Sequence, residues 1–199
     1  MSNDRLEQYL FPTGSNIPVT TKVQVIELLN HTLATTVDLK TQLKLASWNV
    51  TGRNSKPLQE LFSEMAAELE EYIDICAERI TDLGGLAVAT ARVAAEVSQL
   101  SEYPHNILDS CDHVTAVAQR LTVYAQSLLH GSVQIAKWGD VDTSFLYVEV
   151  FRVIEQRLWL LQAHLQASAQ ENETAVVETA AIAHPKQQQQ RDACSLLNI

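Results

Sequence analysis

Six carboxylates, Glu60, Glu64, Glu68, Glu71, Asp74 and Glu78, recur at intervals of four, four, three, three and four residues. At about 100° per residue, all six fall on one face of a helix. Leu58, Leu61, Met65, Leu69, Tyr72, Cys76, Ile80 and Leu83 take the opposite face. No Lys or Arg lies between Lys56 and Arg79 to neutralise the stripe along its own segment. Like charges one turn apart repel by a few tenths of a kcal/mol per pair. The stripe therefore reads either as a solvated face or as a row of hard oxygen donors turned towards cations such as Fe, Mn, Mg or Ca. It does not select among those metals.

Other chemistry is sparser. Di-iron carboxylate bundles carry a Glu-x-x-His motif on each of two helices, and no segment with helical periodicity here carries one. His31, His105, His113, His130, His164 and His184 fall singly on different segments. Cys76, Cys111 and Cys194 are odd in number and include no C-x-x-C pair, which reads as reduced thiols, two of them filling core. The phosphate-cradling and nucleophile-elbow patterns G-x-x-x-x-G-K-[ST], G-x-G-x-x-G and G-x-S-x-G are absent.

The elements that must position the carboxylates are helices. Val25, Ile26, Leu29, Leu33 and Val37 recur at three- and four-residue spacings, predicting a helix from Thr21 to about Val50. A second helix begins near Pro57, with Ser55 as candidate cap, and stops at Gly84-Gly85. The stretch from Leu86 to Asn106 is a long crossover with room for a short helix around Val93, Ala94, Val97 and Leu100. Asp109 or Ser110 caps a third long helix, which carries Val114, Val117, Leu121, Tyr124, Leu128 and Ile135 and breaks at Gly139-Asp140. A fourth runs from about Thr143 to Ala167 through Leu146, Val150, Ile154, Leu158, Leu161 and Leu165. Helices of about 25 residues are roughly 37 Å long. Two short connections and one long crossover describe an all-α, ferritin-like four-helix bundle over residues 21–167. Residues 1–20 read as a flexible arm, and 168–199, with Pro185 and four consecutive glutamines, as a disordered tail.

The net charge of −10 argues against nucleic-acid binding by the surface as a whole and suits a surface that gathers cations. The N-terminus lacks a basic stretch followed by an apolar core, and no apolar run approaches the ~20 residues that span a bilayer. A cytoplasmic protein without membrane contact is the expectation.

The segments Ala46-Ser47-Trp48-Asn49-Val50-Thr51-Gly52, Asp74-Ile75-Cys76-Ala77-Glu78-Arg79 and Leu83-Gly84-Gly85 resemble the Dps family of mini-ferritins. Glu102-Tyr103-Pro104, Asp142-Thr143 and Arg157-Leu158-Trp159 continue the resemblance over roughly residues 22–166, in a form similar to cyanobacterial members. The resemblance implies a homo-oligomeric hollow shell of about twelve subunits. In such a shell iron(II) is oxidised, typically by peroxide, between two-fold-related subunits, and ferric mineral is stored inside. Other divalent metals are possible occupants.

Carried over residue by residue, the family's site keeps Asp74 and Glu78 from one subunit. The partner's three ligand positions, two histidines and an aspartate in the family, are Ser47, Gln59 and Ser63 here. Neutral hydroxyl and amide oxygens hold iron(II) far less well than imidazole and carboxylate. The expectation is ferroxidase activity that is weak or absent at this half-site, with Glu60 and Glu64 as the nearby carboxylates that an altered oxidoreductase site would use. Trp48 neighbours the site, as a radical trap or as interface packing. At the family's acidic three-fold pore, Asp142 matches one acid, Phe145 replaces the next, and Glu149 lies one turn on.

DNA binding is not expected, because the arm holds only Arg5 against Asp4 and Glu7, and the tail only Lys186 and Arg191 against several acids. Iron storage with protection from iron- and peroxide-driven damage ranks first. An active ferroxidase with an altered site ranks second, and a subunit of a mixed shell with a histidine-bearing paralogue third.

Overall fold

The computed structural model describes residues 10–52 and 54–183, with side chains described as far as residue 167 and at Gln170. Among the described residues the chain forms five helices and no strand: α1 Val19–Asn49, α2 Ser55–Asp82, α3 Ala91–Val97, α4 Ser110–Trp138 and α5 Val141–Ala183. Four are long and α3 lies within the crossover, so the ferritin-like bundle is the fold. No helix among the described residues is long and apolar enough to cross a membrane. The chain divides into two compact units after Leu161, so the bundle through Leu161 and the segment from Gln162 are described separately.

The core follows the apolar spacings. Val25, Ile26, Leu29 and Leu33 of α1, Leu58, Met65, Leu69, Cys76 and Ile80 of α2, and Val114, Val117, Leu121, Leu128 and Ile135 of α4 are all buried. Burial pushes the Cys76 thiol up to about 12, which makes it an inert core residue. Inside this core, two tyrosines find hydroxyl partners on α1. Tyr147 OH lies 2.7 Å from Thr32 Oγ1 and Tyr124 OH lies 2.7 Å from Thr36 Oγ1. These bonds satisfy phenols that would otherwise be stranded in an apolar interior. Gly131 on α4 makes room for Tyr147, whose Cε1 would stand 2.6 Å from any β-carbon placed there.

Helix ends differ from the sequence expectation in small, explicable ways. α1 begins at Val19 behind Pro18, two residues earlier than Thr21. Asn54 takes the cap position of α2 in the left-handed region (φ 63°), and Ser55, the expected cap, is the first helical residue. Asn tolerates that conformation better than Ser does. Of the two candidate caps for α4, Asp109 serves, accepting from Cys111 N at 2.7 Å. Residues 10–18, expected as part of a flexible arm, are tied down: Phe11 N donates to Gly84 O at 2.9 Å. Lys22 Nζ donates to Thr13 Oγ1 at 2.9 Å and to Ser15 O at 3.2 Å. A side chain at Gly84 would run into the Phe11 carbonyl, so glycine there ends α2 and admits the strap.

The largest difference is at the other end. Helix α5 does not stop near Ala167 but continues to Ala183, where a tail had been expected from residue 168. After Gly139 the next glycine or proline is Pro185, and the intervening stretch is rich in Ala, Gln and Glu, good helix formers. The rest of the expected tail, with Cys194, and residues 1–9 of the arm lie outside the described residues.

The turn into α5 is fixed by charge. Asp140, whose side chain is 1% exposed, accepts from Arg79 Nη2 at 2.8 Å and from Thr143 N at 3.1 Å. Arg79 Nε donates to Thr143 Oγ1 at 2.7 Å. Removing one partner of a buried pair leaves the other uncompensated. Arg79→Met is expected to lower stability by about 3 kcal/mol, the smaller end of that class because Thr143 still serves Asp140. Denaturant titration at fixed protein concentration reads the loss, and adding Asp140→Asn should restore part of it.

Candidate metal-handling site

Helix α2 presents its carboxylates where the periodicity puts them. Glu60, Glu64, Glu71, Asp74 and Glu78 are exposed, and Glu68 is half-buried. The stripe is nevertheless less naked than the α2 segment alone implies. Arg157 of α5 grips Glu68 with a bidentate fork, its Nε donating to Oε2 at 2.9 Å and its Nη2 donating to Oε1. Those hydrogen bonds hold the guanidinium more firmly protonated than usual. Lys40 of α1 pairs with Glu70, beside the stripe. Lys56 reaches Glu60 at 3.4 Å, an exposed pair worth little in water. Burial, reinforced by Glu68 and Glu71 and opposed by Arg157, raises the Tyr72 phenol above its ordinary value. Arg157 is the residue the sequence reading missed, since nothing within α2 records a cation delivered from another helix.

Asp74 and Glu78 stand one helical turn apart on the exposed face. Ser47, Gln59 and Ser63 are brought together elsewhere, where the end of α1 meets the start of α2. Ser63 Oγ donates to Ser47 Oγ at 3.1 Å, and Gln59 Nε2 approaches Val50 O at 3.4 Å. Ser47 is buried, and the Trp48 ring beside it is 69% exposed. Two of the three neutral groups thus bond to each other and the third turns to the backbone. Among the described residues no three His, Cys, Asp or Glu side chains of one chain converge as a metal site.

At the start of α5, Asp142, Phe145 and Glu149 follow at three- and four-residue spacing, so they share a face, and Phe145 is 64% exposed. The sequence does hold one Glu-x-x-His spacing, Glu102 to His105. It spans Pro104 in the crossover, both side chains are exposed, and they pair at 3.6 Å. It is not the helical motif of a di-iron bundle.

A bundle of this topology with an acidic second helix defines a class, the ferritin-like proteins. The family described as Ferritin-like domain matches residues 26–170. The "DNA protection during starvation protein" of Agrobacterium fabrum is 30% identical over 154 residues, covering 77% of this chain and 95% of the relative. "General stress protein 20U" of Bacillus subtilis is 29% identical over 143 residues, covering 71% of this chain and 97% of the relative. Among solved structures, DpsC from Streptomyces coelicolor superposes with a TM-score of 0.74 at 25% identity, covering 78% of this chain and 91% of that one. The chain belongs to the Dps family.

The Arg157–Glu68 pair offers a direct handle on the stripe. Arg157→Gln should free the Glu68 carboxylate and tighten terbium(III) binding roughly two- to fivefold, the size expected of one partly exposed ion pair. Sensitised lanthanide luminescence measures this. An unchanged affinity would mean that Glu68 adds nothing to the field felt by cations.

Proposed function

We propose that this chain assembles into a Dps-type hollow shell, a homo-oligomer of twelve subunits, that sequesters and stores iron. It thereby protects against damage driven by iron and peroxide together. Iron(II) is the substrate and ferric mineral the cargo. The names of the relatives, which speak of starvation and general stress, support the protective role. The exposed row Glu60, Glu64, Glu71, Asp74 and Glu78 supports iron handling, because carboxylate oxygens hold ferric and ferrous ions. Asp142 and Glu149 would draw cations to a three-fold pore that Phe145 narrows.

Ferroxidation at the usual intersubunit position is weak or absent. The observation that carries this reading is the Ser63–Ser47 hydrogen bond at 3.1 Å, with Gln59 turned to Val50 O. The three positions opposite the Asp74–Glu78 half-site hold neutral oxygens and an amide, already engaged with one another or with backbone. Protection then works by removing iron rather than by coating DNA, in line with the net charge of −10.

Native mass spectrometry tests the shell, and a monomer in solution would sink it. In stopped-flow mixing with oxygen or with peroxide, iron(II) oxidation should run close to the protein-free background while iron accumulates with the protein. The combined variant Ser47→His, Gln59→His, Ser63→Asp should raise the initial rate roughly tenfold or more, since it supplies two imidazoles and a third carboxylate. Fast, saturable oxidation by the unaltered protein that vanishes in Asp74→Ala would overturn the reading.

A gel shift at low salt should show no duplex DNA retained, since an acidic shell repels phosphate. Retardation that fades as salt is raised would instead place a basic patch on the assembled surface.

A further inference from the structure

A second polar cluster, remote from the stripe in sequence, fastens the crossover. His113, in the early part of α4, is 1% exposed. Its Nδ1 lies 2.8 Å from Tyr103 OH, with the two ring centroids 6.0 Å apart and the planes inclined by 24°. Its Nε2 is buried without a hydrogen bond. The Arg120 guanidinium stands 5.1 Å from the Tyr103 ring centroid. It donates to Glu102 O at 2.6 Å, to Ala116 O at 2.9 Å and to Gln42 Oε1 at 2.6 Å. Gln42 in turn donates to Ser101 O, and Asp38 accepts from Ser98 Oγ at 2.6 Å. Residues 98–103 are therefore held from α1 by Asp38 and Gln42, and from α4 by Arg120 and His113.

This arrangement suits a neutral imidazole better than a protonated one. A neutral ring with its proton on Nε2 offers Nδ1 to the Tyr103 hydroxyl as acceptor. A protonated ring makes both nitrogens donors: Nδ1–H turns Tyr103 into the acceptor and leaves the phenolic proton in need of a new partner. The added charge sits in a buried place and joins Arg120 as a second cation against the same tyrosine. We propose that the Tyr103–His113 contact is a pH-sensitive latch, closed while His113 is neutral and opened by its protonation, which loosens residues 98–107 of the crossover.

The groups acting on His113 are Asp112 on its own helix, the cap residue Asp109, and Tyr103 and the Ile107 carbonyl on the crossover. Arg120, with Asp38 and Glu102 around it, acts through Tyr103. Burial is the largest influence and lowers the affinity of His113 for a proton, while Asp112, the Ile107 carbonyl and Asp109 oppose it. The sign follows. Above the ordinary histidine value of ~6.5 the ring is neutral whether the latch is closed or open, and closure is unaffected. Below it the open state binds more protons, so closure weakens as pH falls.

Hydrogen exchange of the full-length assembled protein, corrected for the intrinsic pH dependence, tests the latch at pH 7.5 and 5.5. Protection of amides 98–107 should fall by up to about tenfold per pH unit below ~6.5, while the α1 and α2 core holds. His113→Phe, or His113→Gln if the first does not fold, should abolish the fall, and His105→Asn should leave it in place. The latch is overturned by crossover protection that does not change with pH in the unaltered protein, by an equal fall in the neutral variants, or by loss of the fall in His105→Asn.

Discussion

The buried pair between Arg79 and Asp140 sets the geometry on which the acidic face depends. It joins the last turn of α2 to the first turn of α5, and Thr143 completes it with its backbone N–H and hydroxyl. Because Asp140 also caps α5, the direction of that helix is decided where it begins. Four turns later the same helix delivers Arg157 to Glu68. One ion pair at the base of the bundle thus determines where the charge of another falls, and with it how much of the stripe stays free to attract cations. A buried ion pair is a weak source of net stability compared with apolar packing. Its value here is that few other arrangements of α2 and α5 would leave both charges satisfied.

The crossover is fixed by the opposite strategy, a web of neutral and charge-assisted hydrogen bonds around one guanidinium. Arg120 gives three donors to three different acceptors, two of them backbone carbonyls. The Ala116 carbonyl belongs to α4 itself, whereas Glu102 O lies in the connection and has no helix partner, so Arg120 on Glu102 O and Gln42 on Ser101 O stand in for missing secondary structure. Tyr103 then inserts between Arg120 and His113 as the apolar plug of the connection, and burial pushes its phenol up to about 12. The bundle therefore has two kinds of joint: a corner closed by a buried ion pair, and a crossover held by a web of hydrogen bonds.

Much of this was legible in the sequence, and most of the parts that were not share a cause, a partner on another element. Helix number, order and apolar faces follow from spacing within each segment, which is a local property. The end of α5 was misplaced because residues 168–183 lack the apolar periodicity of a packed helix, while their Ala, Gln and Glu content still favours helix with no glycine or proline until Pro185. The strap at residues 10–18 was read as free because its anchors, Gly84 O and Lys22 Nζ, lie on other elements. Arg157, Lys40 and the Arg120 web were likewise invisible, since each is a cation meeting its partner across a helix boundary. Ser47, Gln59 and Ser63 were singled out only through family resemblance. Nothing in three neutral residues announces a site.

Their arrangement shows how neutral side chains hold the α1–α2 junction together. A histidine or aspartate at these positions would present lone pairs that need a metal, a proton or water. Serine is donor and acceptor at once: Ser63 Oγ donates to Ser47 Oγ, and the bond joins α1 to α2. Gln59 Nε2 approaches the carbonyl of Val50, the residue that caps the end of α1. The junction is thus satisfied by bonds within the chain, while Asp74 and Glu78 stand one turn apart on the exposed face of α2. The charge on α2 and the hydrogen bonding at the junction are carried by separate sets of residues, so either can change without disturbing the other.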